Sequence, residues 1–193
     1  MLFDAGFPDP LPAVPAALLK GGLPPVTLIL GGTRAGKSRF AESLIERHGP
    51  GTYLATAEAH DAEMAARIAE HRARRGESWM TVEEPLDLAG AMHSHAGPKR
   101  PVLVDCLTLW LSNLMHAGRD PEAETSRLMQ ALPFAGPVVF VSNEVGLGIV
   151  PENALARDFR DRAGGLHQAV AAKAQLVVFM AAGLPLVLKR EGP

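Results

Sequence analysis

At 193 residues, with 47% hydrophobic residues, the chain has the size and composition of one domain that encloses a full hydrophobic core. Nineteen Lys and Arg against 21 Asp and Glu leave a formal net charge of -2, so no global basic field exists to hold nucleic acid or an anionic membrane. Cys106 is the single cysteine, which excludes an intramolecular disulfide framework and a cysteine zinc cluster and fits a reducing cytoplasm.

Residues 1–25 are rich in proline, alanine and leucine. Prolines at 8, 10, 12, 15, 24 and 25 break any regular helix there. The stretch lacks the charged opening and long apolar run of a secretory signal, and it reads as an irregular arm before a single domain at 26–193. No other run is long and apolar enough to span a bilayer.

Val26–Leu30 reads as a buried strand, and Arg39–Ile45 as a helix. Between them stands Gly31-Gly32-Thr33-Arg34-Ala35-Gly36-Lys37-Ser38, the phosphate-binding loop pattern of Gly, four residues, then Gly-Lys-Ser. The glycines let the backbone curl until successive N–H groups converge on phosphate oxygens at the positive end of the helix. Lys37 reaches the outer phosphates, and the Ser38 hydroxyl takes a place on Mg²⁺. The chain is therefore expected to bind a nucleoside triphosphate.

Gly51–Thr56 is the next strand candidate. The segment from Asp61 to Gly76 then reads as a helix, capped by Asp61 and stopped by Gly76. Arg67, His71, Arg74 and Arg75 fall at spacings that bring them to one side of it. Like charge lowers the pKa of a histidine so placed and keeps it nucleophilic near pH 7. The same pattern also describes a solvated basic face with an incidental histidine. His93 and His95 form a close pair at what reads as a helix end, without metal-ligand spacing.

Val102–Leu107 is a third strand candidate and carries Asp105. Beside a phosphate-binding loop, an acid at such a strand end holds Mg²⁺ directly or through water. Val138–Ser142 and Leu176–Met180 are further candidates, and Leu184–Leu188 is expected as a final, antiparallel strand. Helical patterns alternate with these runs, which implies a largely parallel sheet covered on both faces. Residues 143–153, rich in glycine and polar groups, follow a strand end and are expected to border the site. Arg157, Arg160 and Arg162 sit on a helix that either meets acceptor phosphate or faces solvent. No Asn-Lys-x-Asp occurs, which excludes the guanine-binding mode of regulatory GTPases, and the protein-kinase loop set is also missing.

Several motifs together resemble one family. They are Gly31 to Arg39, Tyr53-Leu54-Ala55-Thr56-Ala57, Glu63 to Ile68 with His71-Arg72, and Trp79 with Thr81 and Glu83. Asn143-Glu144-Val145-Gly146, Gly148-Ile149-Val150-Pro151 and Phe159-Arg160-Asp161 complete the set. From about Val26 to Lys189 the chain resembles the bifunctional adenosylcobinamide kinase / adenosylcobinamide-phosphate guanylyltransferase of cobalamin assembly. The resemblance implies phosphorylation of adenosylcobinamide with ATP or GTP. A second reaction then transfers GMP from GTP, giving adenosylcobinamide-GDP and pyrophosphate. It implies that His71 carries GMP covalently and that Lys37 is catalytic. Nucleotide contacts fall on Gly31, Gly32, Thr33, Arg34, Ala35, Gly36, Lys37, Ser38, Ala55, Thr56, Ala57, Arg72, Ala73, Arg74, Arg75, Glu83 and Asp105, with Mg²⁺ on Ser38 and Asp105. It further implies a three-layer, RecA-like phosphate-loop NTPase fold and a cytoplasmic homotrimer. Departures from the family pattern are the N-terminal arm, Glu70 before His71, Asp105 where some relatives have glutamate, and His167 where asparagine is commoner. Two readings without the resemblance stay open: a small-metabolite kinase lacking nucleotidyl transfer, and a non-catalytic nucleotide switch.

Overall fold

The computed structural model describes residues 22–57, 76 and 78–191. The segment expected to form the arginine-rich helix with His71 lies outside the described residues, as does most of the N-terminal arm.

Seven strands form one sheet: β1 Val26–Gly31, β2 Gly51–Ala55, β3 Trp79–Glu83, β4 Val102–Asp105, β5 Val138–Val141, β6 Leu176–Ala181 and β7 Leu184–Arg190. Their order is β3-β2-β4-β5-β1-β6-β7. The first six are mutually parallel and β7 pairs antiparallel with β6, as expected for the run after Gly183. The described helices are α1 Lys37–Glu46, α2 Leu88–His95, α3 Leu107–His116, α4 Pro121–Ala131 and α5 Ala154–Lys173.

Strand periodicity builds two cores. Leu28, Leu54, Val102, Val104 and Phe140 point to one face, where they pack with Met92, Trp110, Leu114, Leu128 and Val170 of α2 to α5. The intervening Ile29, Tyr53, Leu103, Val139 and Val141 point to the other, against Phe40, Leu44 and Ile45 of α1. Because both faces are covered, these strands are continuous apolar runs and were readable as such. Local chemistry starts the helices. Asp87 accepts from Gly90 N at 3.1 Å, Asp120 from Glu122 N at 2.9 Å with Pro121 in the first turn, and Asn153 from Leu155 N at 2.8 Å.

Two boundaries differ from the sequence reading. The expected strand at 102–107 stops at Asp105, because Cys106 is the N-cap of α3 and Leu107 its first residue. β3 is a strand the sequence reading did not anticipate. It is an edge strand, half-buried along Trp79 to Val82, so its pattern has no uninterrupted apolar run.

Candidate active site

The phosphate-binding loop leaves the C-terminal end of β1, where an open α/β sheet places its ligands. Gly31 ends the strand at φ 147°, and a Cβ there would lie 2.4 Å from the Met180 carbonyl oxygen, so β6 approaches closely only because the residue is glycine. Gly36, at φ 93°, caps α1 in the left-handed region. No side chain caps α1 and no acidic residue stands in its first turn, which leaves the positive end of the helix to a ligand anion. The β6–β7 turn braces the loop through Gly183 N–H donating to the Ala35 carbonyl at 3.1 Å.

Lys37 folds back into this curl. Its ammonium donates to the Gly32 carbonyl at 2.7 Å, and the side chain is buried. Burial lowers its pKa below the ordinary lysine value, and nearby Cys106 and Asp105 pull it back up. Cys106 is itself pushed up to about 11, by burial first and then by Asp105, so its thiol is protonated. Asp105 is thus the real counter-charge to Lys37. Ser38 is half-buried beside Lys37, and Gly32, Thr33 and Arg34 are exposed on the loop rim.

Strand register aligns the other candidates. Glu83 pairs with Ala55, Ala55 with Asp105, Asp105 with Val141, and Val141 with Ile29, so all end on one edge of the sheet. Asp105 accepts from the Tyr53 hydroxyl at 2.8 Å, which fixes its carboxylate. A hydroxyl from Ser38 and a carboxylate from Asp105 are hard oxygen donors. They suit Mg²⁺, which takes only one or two protein ligands beside phosphate and water. At roughly 4.8 Å per strand, Asp105 on β4 lies two strands, about 10 Å, from β1, while Glu83 on β3 lies about 19 Å away. The register sets Asp105 and Ala55 on the same sheet edge as the loop, with exposed Glu83 at its far end, and Ala57 is half-buried.

Thr56 has a different place from the one its motif suggests. It is fully buried, and its Oγ1 both accepts from Cys106 N and donates to the Cys106 carbonyl, each at 2.8 Å. Its backbone N–H donates to the Asp105 carbonyl at 3.2 Å, and its carbonyl accepts from Asn113 Nδ2 at 2.7 Å. Every polar atom of Thr56 is spent on holding the turn after Asp105. His71, Arg72, Ala73, Arg74 and Arg75 lie outside the described residues.

The sequence reading expected residues 143–153 to border the site without giving any of them a role, and a polar chain gathers there. Glu144 N–H donates to the Gly31 carbonyl at 3.0 Å, tying this segment to the root of the phosphate-binding loop. Buried Thr108, Ser142 and His167 follow one another within hydrogen-bond distance. No group of three or more metal-ligating side chains occurs among the described residues, and none of their helices is long and apolar enough to cross a membrane.

The sequence model of the cobinamide kinase / cobinamide phosphate guanyltransferase family matches residues 27–188. The chain belongs to this family. It is 52% identical over 169 residues to the bifunctional adenosylcobalamin biosynthesis protein CobP of Pseudomonas aeruginosa, covering 85% of this chain and 97% of that protein. It is 40% identical over 178 residues to the bifunctional adenosylcobalamin biosynthesis protein CobU of Escherichia coli, covering 84% and 98%. Among solved structures, a prototypical ATPase from a bacterial type III secretion system superposes with a TM-score of 0.52 at 11% identity. That match covers 86% of this chain and 57% of the ATPase, and it shows a shared phosphate-loop NTPase fold. Family and fold agree that nucleotides are the substrate class.

Proposed function

We propose that this chain phosphorylates adenosylcobinamide with ATP or GTP and then transfers GMP from GTP to the new phosphate. The products are adenosylcobinamide-GDP and pyrophosphate. Membership of the cobinamide kinase / guanyltransferase family carries this reading, and the loop geometry around Lys37 supports it.

In the kinase step the open end of α1 and the ammonium of Lys37 hold the β- and γ-phosphates. The acceptor hydroxyl attacks in line, and positioning plus charge stabilisation account for most of the acceleration. Ser38 and Asp105 would hold Mg²⁺, which when bound would supply further charge neutralisation. In the transfer step His71 attacks the α-phosphorus, pyrophosphate leaves, and the GMP passes from the imidazole to the acceptor phosphate. Arg72, Arg74 and Arg75 offset the displaced charge. The nucleotide contacts assigned to the 31–38 loop, Ala55, Ala57 and Glu83 belong to the same reading. Thr56 enters it as a support for Asp105.

The reading includes a homotrimer working in the cytoplasm. Edge strand β7 exposes Leu184, Leu186 and Leu188 at 59%, 59% and 56%, an apolar edge that a second subunit would cover.

GTP labelled at the α-phosphate tests the covalent route. The parent protein should form a phosphoramidate adduct, labile in acid and stable in base. His71→Ala should abolish the adduct and GMP transfer while keeping most of the phosphorylation of adenosylcobinamide. Label retained on that variant places the nucleophile elsewhere. A parent that makes ADP or GDP with acceptor, but no adduct, is a kinase alone.

A further inference from the structure

β5 lies between β4, which ends in Asp105, and β1, which feeds the phosphate-binding loop. The residues that follow it carry a buried polar chain for which the roles above have no use. Asn143 N–H donates to Thr108 Oγ1 at 2.7 Å, and Thr108 Oγ1 lies 3.0 Å from Ser142 Oγ. Ser142 Oγ lies 2.8 Å from His167 Nε2, and His167 Nδ1 is 3.7 Å from Glu144 Oε2. Two hydrogen bonds hold Glu144, its own N–H on the Gly31 carbonyl at 3.0 Å and Oε1 accepting from Gly146 N at 2.5 Å. Its side chain keeps 22% of its surface exposed, whereas that of His167 keeps 8%.

The proton order along the chain follows from its two ends. Thr108 Oγ1 accepts from Asn143 N–H and has a proton to give to Ser142 Oγ. Ser142 then donates to His167 Nε2, and the imidazole carries its proton on Nδ1, toward the Glu144 carboxylate. The reverse order would set an Nδ1 lone pair against that carboxylate. Burial, opposed by Glu144, lowers the His167 pKa, which keeps the ring neutral at pH 7 and consistent with this single-proton arrangement.

A kinase that transfers to an alcohol needs an acceptor for the alcohol proton near the γ-phosphate. Lys37 is a cation, and Asp105 is assigned to the metal. Glu83 is roughly 19 Å from β1 by strand spacing. Among the described residues, Glu144 is tied to the root of the loop through its backbone N–H on the Gly31 carbonyl.

We propose that Glu144 is a catalytic carboxylate of the kinase step and that His167, fixed by Ser142, is the positioning residue that aims it. This rests on the reading of the chain as an adenosylcobinamide kinase. As the acceptor oxygen bonds to the γ-phosphorus, its O–H bond breaks and the proton passes to Glu144. The bond from the γ-phosphorus to the bridging oxygen breaks, and its electron pair leaves with the nucleoside diphosphate. Glu144 then returns the proton to solvent.

The full-length protein is assayed twice, for phosphorylation of adenosylcobinamide with ATP and for GMP transfer from GTP to adenosylcobinamide phosphate. Glu144→Gln should lower kcat of phosphorylation about 100-fold or more, the lower end for a lost proton acceptor, with KM for ATP and the GMP transfer rate each within about threefold. For His167 two amides separate aiming from packing. Asparagine places its amide nitrogen where Nδ1 stands and keeps the donor to Glu144, whereas glutamine places its amide oxygen where Nε2 stands, accepts from Ser142 and keeps only that end. His167→Asn should hold kcat of phosphorylation within about threefold, and His167→Gln should lower it about tenfold at unchanged KM for ATP. Phosphorylation by Glu144→Gln within about threefold of the parent overturns the proposal, as does an equal effect of the two His167 variants. A parent that transfers GMP but never phosphorylates adenosylcobinamide removes the kinase reading itself, and the proposal with it.

Discussion

Thr56→Val removes one oxygen from a fully buried site and leaves the side chain's shape nearly unchanged. Two hydrogen bonds disappear, both to Cys106, but their costs differ. The Cys106 carbonyl keeps a second partner, because Trp110 N–H donates to it at 3.1 Å in the first turn of α3. Losing the Thr56 hydroxyl there costs the net value of one bond, about 0.5–1.5 kcal/mol. The Cys106 N–H has Thr56 Oγ1 as its partner at 2.8 Å and is left orphaned in the interior, which costs about 1–3 kcal/mol more. The expected destabilisation is therefore about 1.5–4.5 kcal/mol. Urea unfolding should show it as a lower midpoint at an unchanged slope, and the thermal midpoint should fall by about 3–18 °C for a chain of this length. Thr56→Ser keeps the oxygen, loses only a methyl group, and should recover most of the loss. Because the clamp sits directly behind Asp105, the valine variant should also need more Mg²⁺ for phosphorylation. A stability loss under about 0.5 kcal/mol would show that the hydroxyl does not hold this turn, and the reasoning would fail.

Lys37→Ala should weaken both reactions, since charged groups aimed at transferring phosphates are worth about 2.7–4 kcal/mol in the transition state; turnover within about threefold of the parent in both assays would remove the loop from the mechanism. Asp105→Asn keeps the shape of the carboxylate and should raise the Mg²⁺ concentration needed for half-maximal phosphorylation, and an unchanged Mg²⁺ titration would free Asp105 of any part in holding the metal. Light scattering at micromolar concentration should give three times the subunit mass; the mass of one subunit would mean that the leucines of β7 are not covered by another copy.

What was legible in the sequence was whatever is local in it. The loop from Gly31 to Ser38 is one continuous segment whose backbone does the binding, so eight adjacent residues carry the whole pattern. β1, β2, β4, β5 and β6 were legible because helices cover both faces and leave no polar alternation to confuse the reading. The same logic explains the miss at β3. Trp79 to Glu83 borders solvent along one side, and its Met-Thr-Val core is too short and too mixed to stand out. Asp105 was readable as an acid at a strand end, although the strand was drawn two residues too long.

The contacts that tune the site were not legible, because they join residues distant in sequence and depend on strand order. Thr56 reads as part of a ligand motif, and only the pairing of β2 with β4 turns its hydroxyl toward Cys106, 50 residues away. His167 reads in the sequence only as a departure from the asparagine commoner at that place in the family. It becomes significant because the sheet runs β4-β5-β1, an order the chain does not follow. That order places residues 142–144 between the candidate metal carboxylate and the phosphate-binding loop. It also brings Thr108, from the helix after β4, within 3.0 Å of Ser142 after β5. A carboxylate at that position is held from both sides by elements that must already be folded, so its aim is set before any substrate arrives. One ring of His167 thus serves both ends of the polar chain, its Nε2 linked to Ser142 and its Nδ1 facing Glu144.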